Sequence, residues 1–252
     1  MRSPRGFVPI VAGCALTTCA SVLVAAVIDV PNGSFESPYL EMQVPYATPG
    51  ISDWQKAPLP GWAPGYGISE QDWVQTAGVF LNVPFAPIDN VDGRQAAFLF
   101  ATPEVELFQD LNVQFEVGQA YDLMVGMQGG GNPSYTPPMK AGVTMEIRLY
   151  YRDDSQNRVT VGSTVVTNPE DNYVVTHLTD YQLHIPAVTA QDAWAGRNIG
   201  VQLVSTLTVE DIAAGKTGGF WDIDNVRLSA VPEPTSLTLL ALGLFGVLRR
   251  RT

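Results

Sequence analysis

The sequence predicts an all-β protein, a two-sheet antiparallel sandwich of jelly-roll type, and three observations carry that prediction. Short apolar or alternating runs recur through the middle of the chain, cut by Gly, Pro, Asn and Asp. That middle shows no long stretch of helical period. The two ends differ from it: each is an uncharged apolar run beside arginines, so a helix is expected at each terminus.

The candidate strands run, in order, over Val74–Val83, Gln95–Ala101, Leu107–Phe115, Tyr121–Met127, Val143–Tyr151, Val159–Val166, Thr179–Ile185, Ile199–Leu207 and Phe220–Leu228. Met145, Ile147 and Leu149 alternate with Glu146, Arg148 and Tyr150, and Tyr181, Leu183 and Ile185 alternate with Gln182 and His184. Such alternation marks half-buried antiparallel strands. Gln191–Ala195 is expected to form one short turn. Two segments read as long loops, Leu59–Gly67 and Met127–Gly142, because their glycines and prolines break regular structure.

Arg2 and Arg5 precede the uncharged run Gly6–Ile28, and Val24 and Ala26 satisfy the small-residue rule for cleavage after Ala26. Residues 1–26 therefore read as a signal peptide, handled by the export translocon and signal peptidase. The run is long enough to serve instead as an uncleaved anchor. The string VAGC at Val11–Cys14 has the form of a lipoprotein box, but cleavage there would leave an apolar start where a polar tether is expected.

At the other end, Pro232-Glu233-Pro234 ends regular structure, since each proline lacks a donor and constrains its predecessor. Thr235–Leu248 is then uncharged for 14 residues, short of the ~20 that cross a bilayer comfortably. Arg249, Arg250 and Arg251 close the chain, and the positive-inside rule keeps them in the cytoplasm. On residues alone, residues 231–252 are a short anchor or a transient membrane insertion. The fixed order of Pro-Glu-Pro, apolar run and arginine cluster resembles the PEP-CTERM sorting signal of exported bacterial proteins. The resemblance implies recognition and cutting by exosortase and delivery to the cell surface or the extracellular polysaccharide matrix.

Between the ends, residues 27–230 hold 9 Lys and Arg against 24 Asp and Glu, a net charge of about −15. Such a surface repels phosphate backbones, so nucleic acid is not an expected partner, and it attracts divalent cations. Cys14 and Cys19 both lie in the leader, which leaves the domain no disulfide, thiol nucleophile or Cys-based zinc site.

Two stretches stand out in the domain: VPNGSFESP at Val30–Pro38 and FWDIDNVRLS at Phe220–Ser229. First and last strands of a jelly roll can be neighbours, and Glu36 and Asp224 would then share one hard cation, with carbonyls exposed by the turn at Asn32 and Gly33. Ca²⁺ takes six to eight oxygens of this kind. The plainer reading is a turn and a strand end. These stretches, with Pro60–Trp62 and Glu116–Leu123, resemble the galactose-binding-type jelly roll of carbohydrate-binding modules. More narrowly, they resemble calcium-binding cyclases of hapalindole-type alkaloid biosynthesis. The resemblance implies a structural calcium at Glu36 and Asp224, with Asn32 beside them.

No catalytic constellation emerges. His177 and His184 are the only histidines, and His184 fits a polar position on a sheet face. Nucleophile elbow, HExxH and phosphate-cradling loop are all missing. The pairs Glu104/Glu106 and Asp222/Asp224 each fall on one face of a strand and read mostly as solvated acidic surface. Trp62 and Trp221 read as core plugs, whereas Tyr66 and Tyr135, flanked by Gly and Pro, are the candidates to stack on sugar rings. Three classes stay open: a matrix-adhering glycan binder, a purely structural surface protein, and a cyclase-like enzyme.

Overall fold

A computed structural model describes residues 25–43, 46–132 and 136–232. The leader up to residue 24, Tyr135, Glu233, Pro234 and Arg249–Arg251 lie outside the described residues. Nearly all of the regular structure is strand, as expected.

One sheet has seven strands. Six follow the order β10 (Thr179–Ile185), β7 (Gln119–Gly130), β12 (Phe220–Pro232), β5 (Gln95–Phe100), β4 (Ala77–Leu81) and β2 (Ala47–Pro49). The seventh, β1 (Ala26–Ile28), pairs with the far end of β12, Ala26 against Ala230 and Ile28 against Leu228. First and last strands are therefore neighbours. The second sheet runs β3 (Gln55–Lys56), β6 (Glu106–Gln114), β11 (Asn198–Ser205), β8 (Thr144–Arg152) and β9 (Arg158–Thr167). All pairings between these strands are antiparallel.

The core lies between the sheets and follows the period-2 pattern. Leu123, Val125 and Met127 of β7, Leu99 of β5, and Trp221 and Ile223 of β12 point inward from one sheet. Leu107 and Leu111 of β6, Met145, Ile147 and Leu149 of β8, and Val201 and Leu203 of β11 point inward from the other. Trp221 is a core plug, as expected, whereas Trp62 is only partly buried against the core's edge.

The segment expected as one long loop from Met127 differs at its start. The β7 ladder continues through Gly129 and Gly130, which pair with Trp221 and Phe220, because backbone hydrogen bonding to a central strand does not require a side chain. Two short helices also escaped the pattern. The first, α1 (Glu70–Val74), is fixed by a capping box: Ser69 Oγ accepts the Asp72 N–H at 3.2 Å and Asp72 accepts the Ser69 N–H at 3.0 Å. The second is α2 (Val209–Ala213). Five residues each is too short for a periodic signal. Among the described residues no helix is long and apolar enough to cross a membrane.

Candidate functional site

With Leu107 and Leu111 of β6 and Met145, Ile147 and Leu149 of β8 committed to the core, the even positions of these strands face away from it. The register sets Gln202 of β11 between Phe108 and Arg148, and Val204 between Glu106 and Glu146. Ala57–Pro60 and Glu104 wall this face, and with Glu106, Arg148, Arg158, Gln202 and Val204 they enclose a groove of about 350 Å³. Glu106 is 6% exposed and accepts from both Arg158 Nη2 and Gln202 Nε2. The Arg158 guanidinium lies 3.8 Å from the centre of the Phe108 ring, a cation–π contact. Arg158 Nη1 is buried and has no hydrogen-bond partner among the described residues.

Beside the groove, Tyr150 donates to Asp110 at 2.8 Å, and Arg152 grips the same carboxylate with Nε and Nη2, each at 2.9 Å. Tyr150 reaches Asp110 by crossing β11 at Gly200, where a Cβ would stand 2.2 Å from the ring. Burial and the Asp110 carboxylate push the Tyr150 phenol well above its usual range, so it stays a donor.

The sequence set Glu104 and Glu106 on one strand. Glu104 instead occupies the turn before β6, with a φ of 59°, yet both line the groove. Glu104 Oε1 accepts from Trp62 Nε1 at 3.1 Å. Trp62 in turn meets the ring of Tyr66 edge-on at 5.9 Å. Tyr66 is 49% exposed, so this candidate sugar-stacking residue connects to the groove wall through Trp62 and Glu104.

The second site lies on the outer face of the seven-stranded sheet. Glu36 Oε1 accepts the N–H groups of Arg94 and Gln95 at 2.6 and 2.8 Å. Asp224 Oδ2 accepts the N–H of Asp92. Gly93 sits between these anchors with a φ of 103°, and a Cβ there would come within 2.4 Å of Glu36 Oε1, so glycine is required. Asp224 is fully buried, and its Oδ1 has no hydrogen-bond partner among the described residues. Burial above all, helped by the Asp92 and Glu36 charges and opposed by backbone hydrogen bonds, raises its pKa to about 8.

Asn32 stands nearby in another role. Its amide donates to the carbonyls of Ser37 and Ser52 at 2.7 and 2.8 Å and accepts the Ser37 N–H at 3.0 Å. Its carbonyl accepts from Phe35 N and Trp54 Nε1, each at 3.1 Å, and the Gly33 carbonyl accepts the Val226 N–H. The oxygens expected to be open at this turn are thus engaged in holding the loop that presents Glu36. Among the described residues no group of three or more His, Cys, Asp or Glu side chains converges as a metal site. A cation at Asp224 and Glu36 would have to complete its shell from backbone or water oxygens.

On the same outer face, Asp222 lies between Phe98 and Gln128 in register. Phe98, Phe100 and Phe220 contact one another there with ring centres 5.7–6.4 Å apart. Asp222 is 4% exposed, its Oδ1 has no hydrogen-bond partner among the described residues, and burial raises its pKa well above the carboxylate range. Here the sequence reading needs correction: Asp222, Asp224 and Glu106 are buried rather than part of a solvated acidic surface. Loops cover the sheet's outer face, which strand periodicity does not reveal.

Arg158 and Gln202 were not singled out from sequence, because only the strand order brings β9, β11 and β6 to one groove. Trp54 and Trp73 are core residues. His184 sits on the sheet face with Nδ1 2.8 Å from Asp122.

A jelly-roll domain that leads directly into a sorting tail defines an exported, envelope-associated protein. The PEP-CTERM protein-sorting motif matches residues 230–251. Residues 26–229 match the HpiC1-like family, described as HpiC1 cyclase, and the chain belongs to that family. No curated protein matches the chain. Among solved structures, a Stig cyclase, Fisc, from Fischerella sp. TAU in complex with (3Z)-3-(1-methyl-2-pyrrolidinylidene)-3H-indole shares 20% identity at a TM-score of 0.59, over 84% of this chain and 100% of that one. A second cyclase from Fischerella sp. TAU shares 19% at a TM-score of 0.60, over 84% and 100%. TmCBM61 in complex with β-1,4-galactotriose shares 15% at a TM-score of 0.41, over 79% and 95%. At these identities the likeness to the two cyclases is one of fold.

Proposed function

We propose that the exported domain adheres to extracellular polysaccharide through the groove on its five-stranded sheet, with Tyr66 extending the contact surface. One observation carries the reading: Glu106, Gln202 and Arg158 form a preorganised polar network in an open groove, and a buried Arg158 N–H there lacks an acceptor. Sugar hydroxyls supply acceptors and donors together, and an exposed aromatic rim offers a stacking face. A sugar exchanges water for protein partners almost evenly, so each site is weak, with a Kd in the micromolar-to-millimolar range, about −4 to −8 kcal/mol. Retention of the protein on the producing cell's own polysaccharide, compared with Tyr66→Ala, tests the reading. Equal retention of both would refute the role of Tyr66, and no retention of either would favour a structural surface protein.

In this proposal the domain is also stabilised by Ca²⁺ at Asp224 and Glu36. The partnerless buried Oδ1 of Asp224 supports the fit, as does the second carboxylate gripping the same loop. Exosortase would remove the tail, so membrane contact through it is transient.

A second reading rests on Asp222. A carboxylic acid whose proton burial holds more tightly than usual, beside an aromatic face, is a proton donor of the kind acid-catalysed cyclisations need, and the family is described as a cyclase. Turnover of an indole-containing substrate that is lost in Asp222→Asn would move the function to this site.

A further inference from the structure

A separate cavity of about 180 Å³ opens beside β3 and shares no lining residue with the groove. Gly50, Ile51, Trp54, Val74, Ala77 and Leu107 line it together with one polar side chain, Lys56. Lys56 Nζ is buried and has no hydrogen-bond partner among the described residues. It lies over the Trp73 ring, 4.8 Å from the centroid. The residue is held there by its strand pairing with Leu107. Val74, half exposed, and exposed Gly50 stand at the mouth, so small molecules have a way in.

The contrast with the other lysines is sharp. Residues 27–230 contain only two more, Lys140 and Lys216. These form exposed ion pairs with Asp171 at 2.7 Å and Asp211 at 2.8 Å. Among the described residues no carboxylate pairs with Lys56, and burial lowers its pKa to about 8. A lysine desolvated in an apolar pocket is an amine nucleophile toward carbonyl carbon.

We propose that Lys56 captures a small apolar aldehyde or ketone in this cavity as an imine. The neutral Nζ donates its lone pair to the carbonyl carbon, the C–N bond forms, and a proton passes from nitrogen to the former carbonyl oxygen. The carbinolamine then loses that hydroxyl and the remaining N–H hydrogen as water, leaving C=N and no change in oxidation state. Size sets the ligand class. A dry cavity of roughly 150 Å³ holds benzene, so this one suits a carbonyl compound of about eight heavy atoms, with the apolar body against Trp54, Ile51 and Leu107.

The test treats the full chain at pH 7 with benzaldehyde and cyanoborohydride and maps the reduced adducts by peptide mass spectrometry. Lys56 is expected to label at least about tenfold faster than Lys140 and Lys216, reflecting its larger neutral fraction. Toluene, which fills the cavity without reacting, should slow labelling of Lys56 alone, and Val74→Trp should do the same by closing the mouth. Equal labelling of the three lysines overturns the proposal. Fast labelling of Lys56 that toluene leaves untouched also overturns it, since capture would then not occur in the cavity. If Val74→Trp fails to show the parent's melting curve, the toluene competition decides alone.

Discussion

Glu36 and Asp224 grip the same short segment from two ends of the chain. Glu36 takes the N–H groups of Arg94 and Gln95, and Asp224 takes that of Asp92. Two carboxylates from the first loop and the last strand thereby close one turn over the sheet.

That closure gives the calcium proposal a thermal signature. At a calcium concentration a hundredfold above Kd, mass action adds about 2.7 kcal/mol, or roughly 5–10 °C for a domain of this size. Melting curves in calcium and in chelator should differ by that amount, and Glu36→Ala should erase the difference. Superimposed curves for the parent protein would sink the site.

The two buried acids set a pH dependence in metal-free buffer. Their folded pKa values lie above the unfolded carboxylate value, so the folded state binds more protons. Stability is then highest in acid and declines as pH rises from about 4 toward 8, the value to which Asp224 is raised. Asp224→Asn should flatten the decline over that window, and Asp222→Asn should do so further. A melting temperature that rises across the same window would contradict the assignment.

Gly200→Ala should destabilise the five-stranded sheet by about 1–3 kcal/mol, the range for overpacking, because the new methyl meets the Tyr150 ring where it crosses to Asp110. Chemical denaturation reads this directly. Tyr150→Phe in the same background should recover little, since the ring and not the hydroxyl occupies the space.

Processing of the tail should be visible in the mass of the exported protein. Loss of everything after about Val231 is expected, and intact Arg249–Arg251 on mature surface protein would argue for a permanent anchor. Deleting exosortase from the producing cell should restore the full mass.

Most of the nine longer strands were legible because their apolar residues recur at period 2 against a single core, as Met145, Ile147 and Leu149 do; the run expected as Val74–Val83 is shorter, since Val74 ends α1 and the strand is Ala77–Leu81. The short β1, β2 and β3 were not, since two or three residues carry no period. The neighbourhood of first and last strands followed from the jelly-roll expectation, and with it the approach of Glu36 to Asp224. What sequence did not convey was cover. Nothing local to Asp222 or Asp224 says that the sheet's outer face is covered: Asp222 reads as a surface acid, and Asp224 as a surface acid or a cation ligand, neither as a buried carboxyl. The groove was hidden for another reason: Arg158 and Glu106 are 52 residues apart, and only strand order makes them partners. Tyr66 was picked for exposure, but its link to the groove passes through Trp62, which had been assigned to the core.

The last strand runs from Phe220 to Pro232 in the middle of its sheet and ends where the sorting motif begins. A tug on the tail, from a membrane enzyme or from a moving bilayer, therefore pulls β12 along its own length. Its neighbours β7, β5 and β1 resist through ladder bonds set across the direction of force, so many bonds share the strain together instead of opening one after another. A load on the tail would thus meet the domain in shear, the geometry in which a small β domain best withstands mechanical extraction.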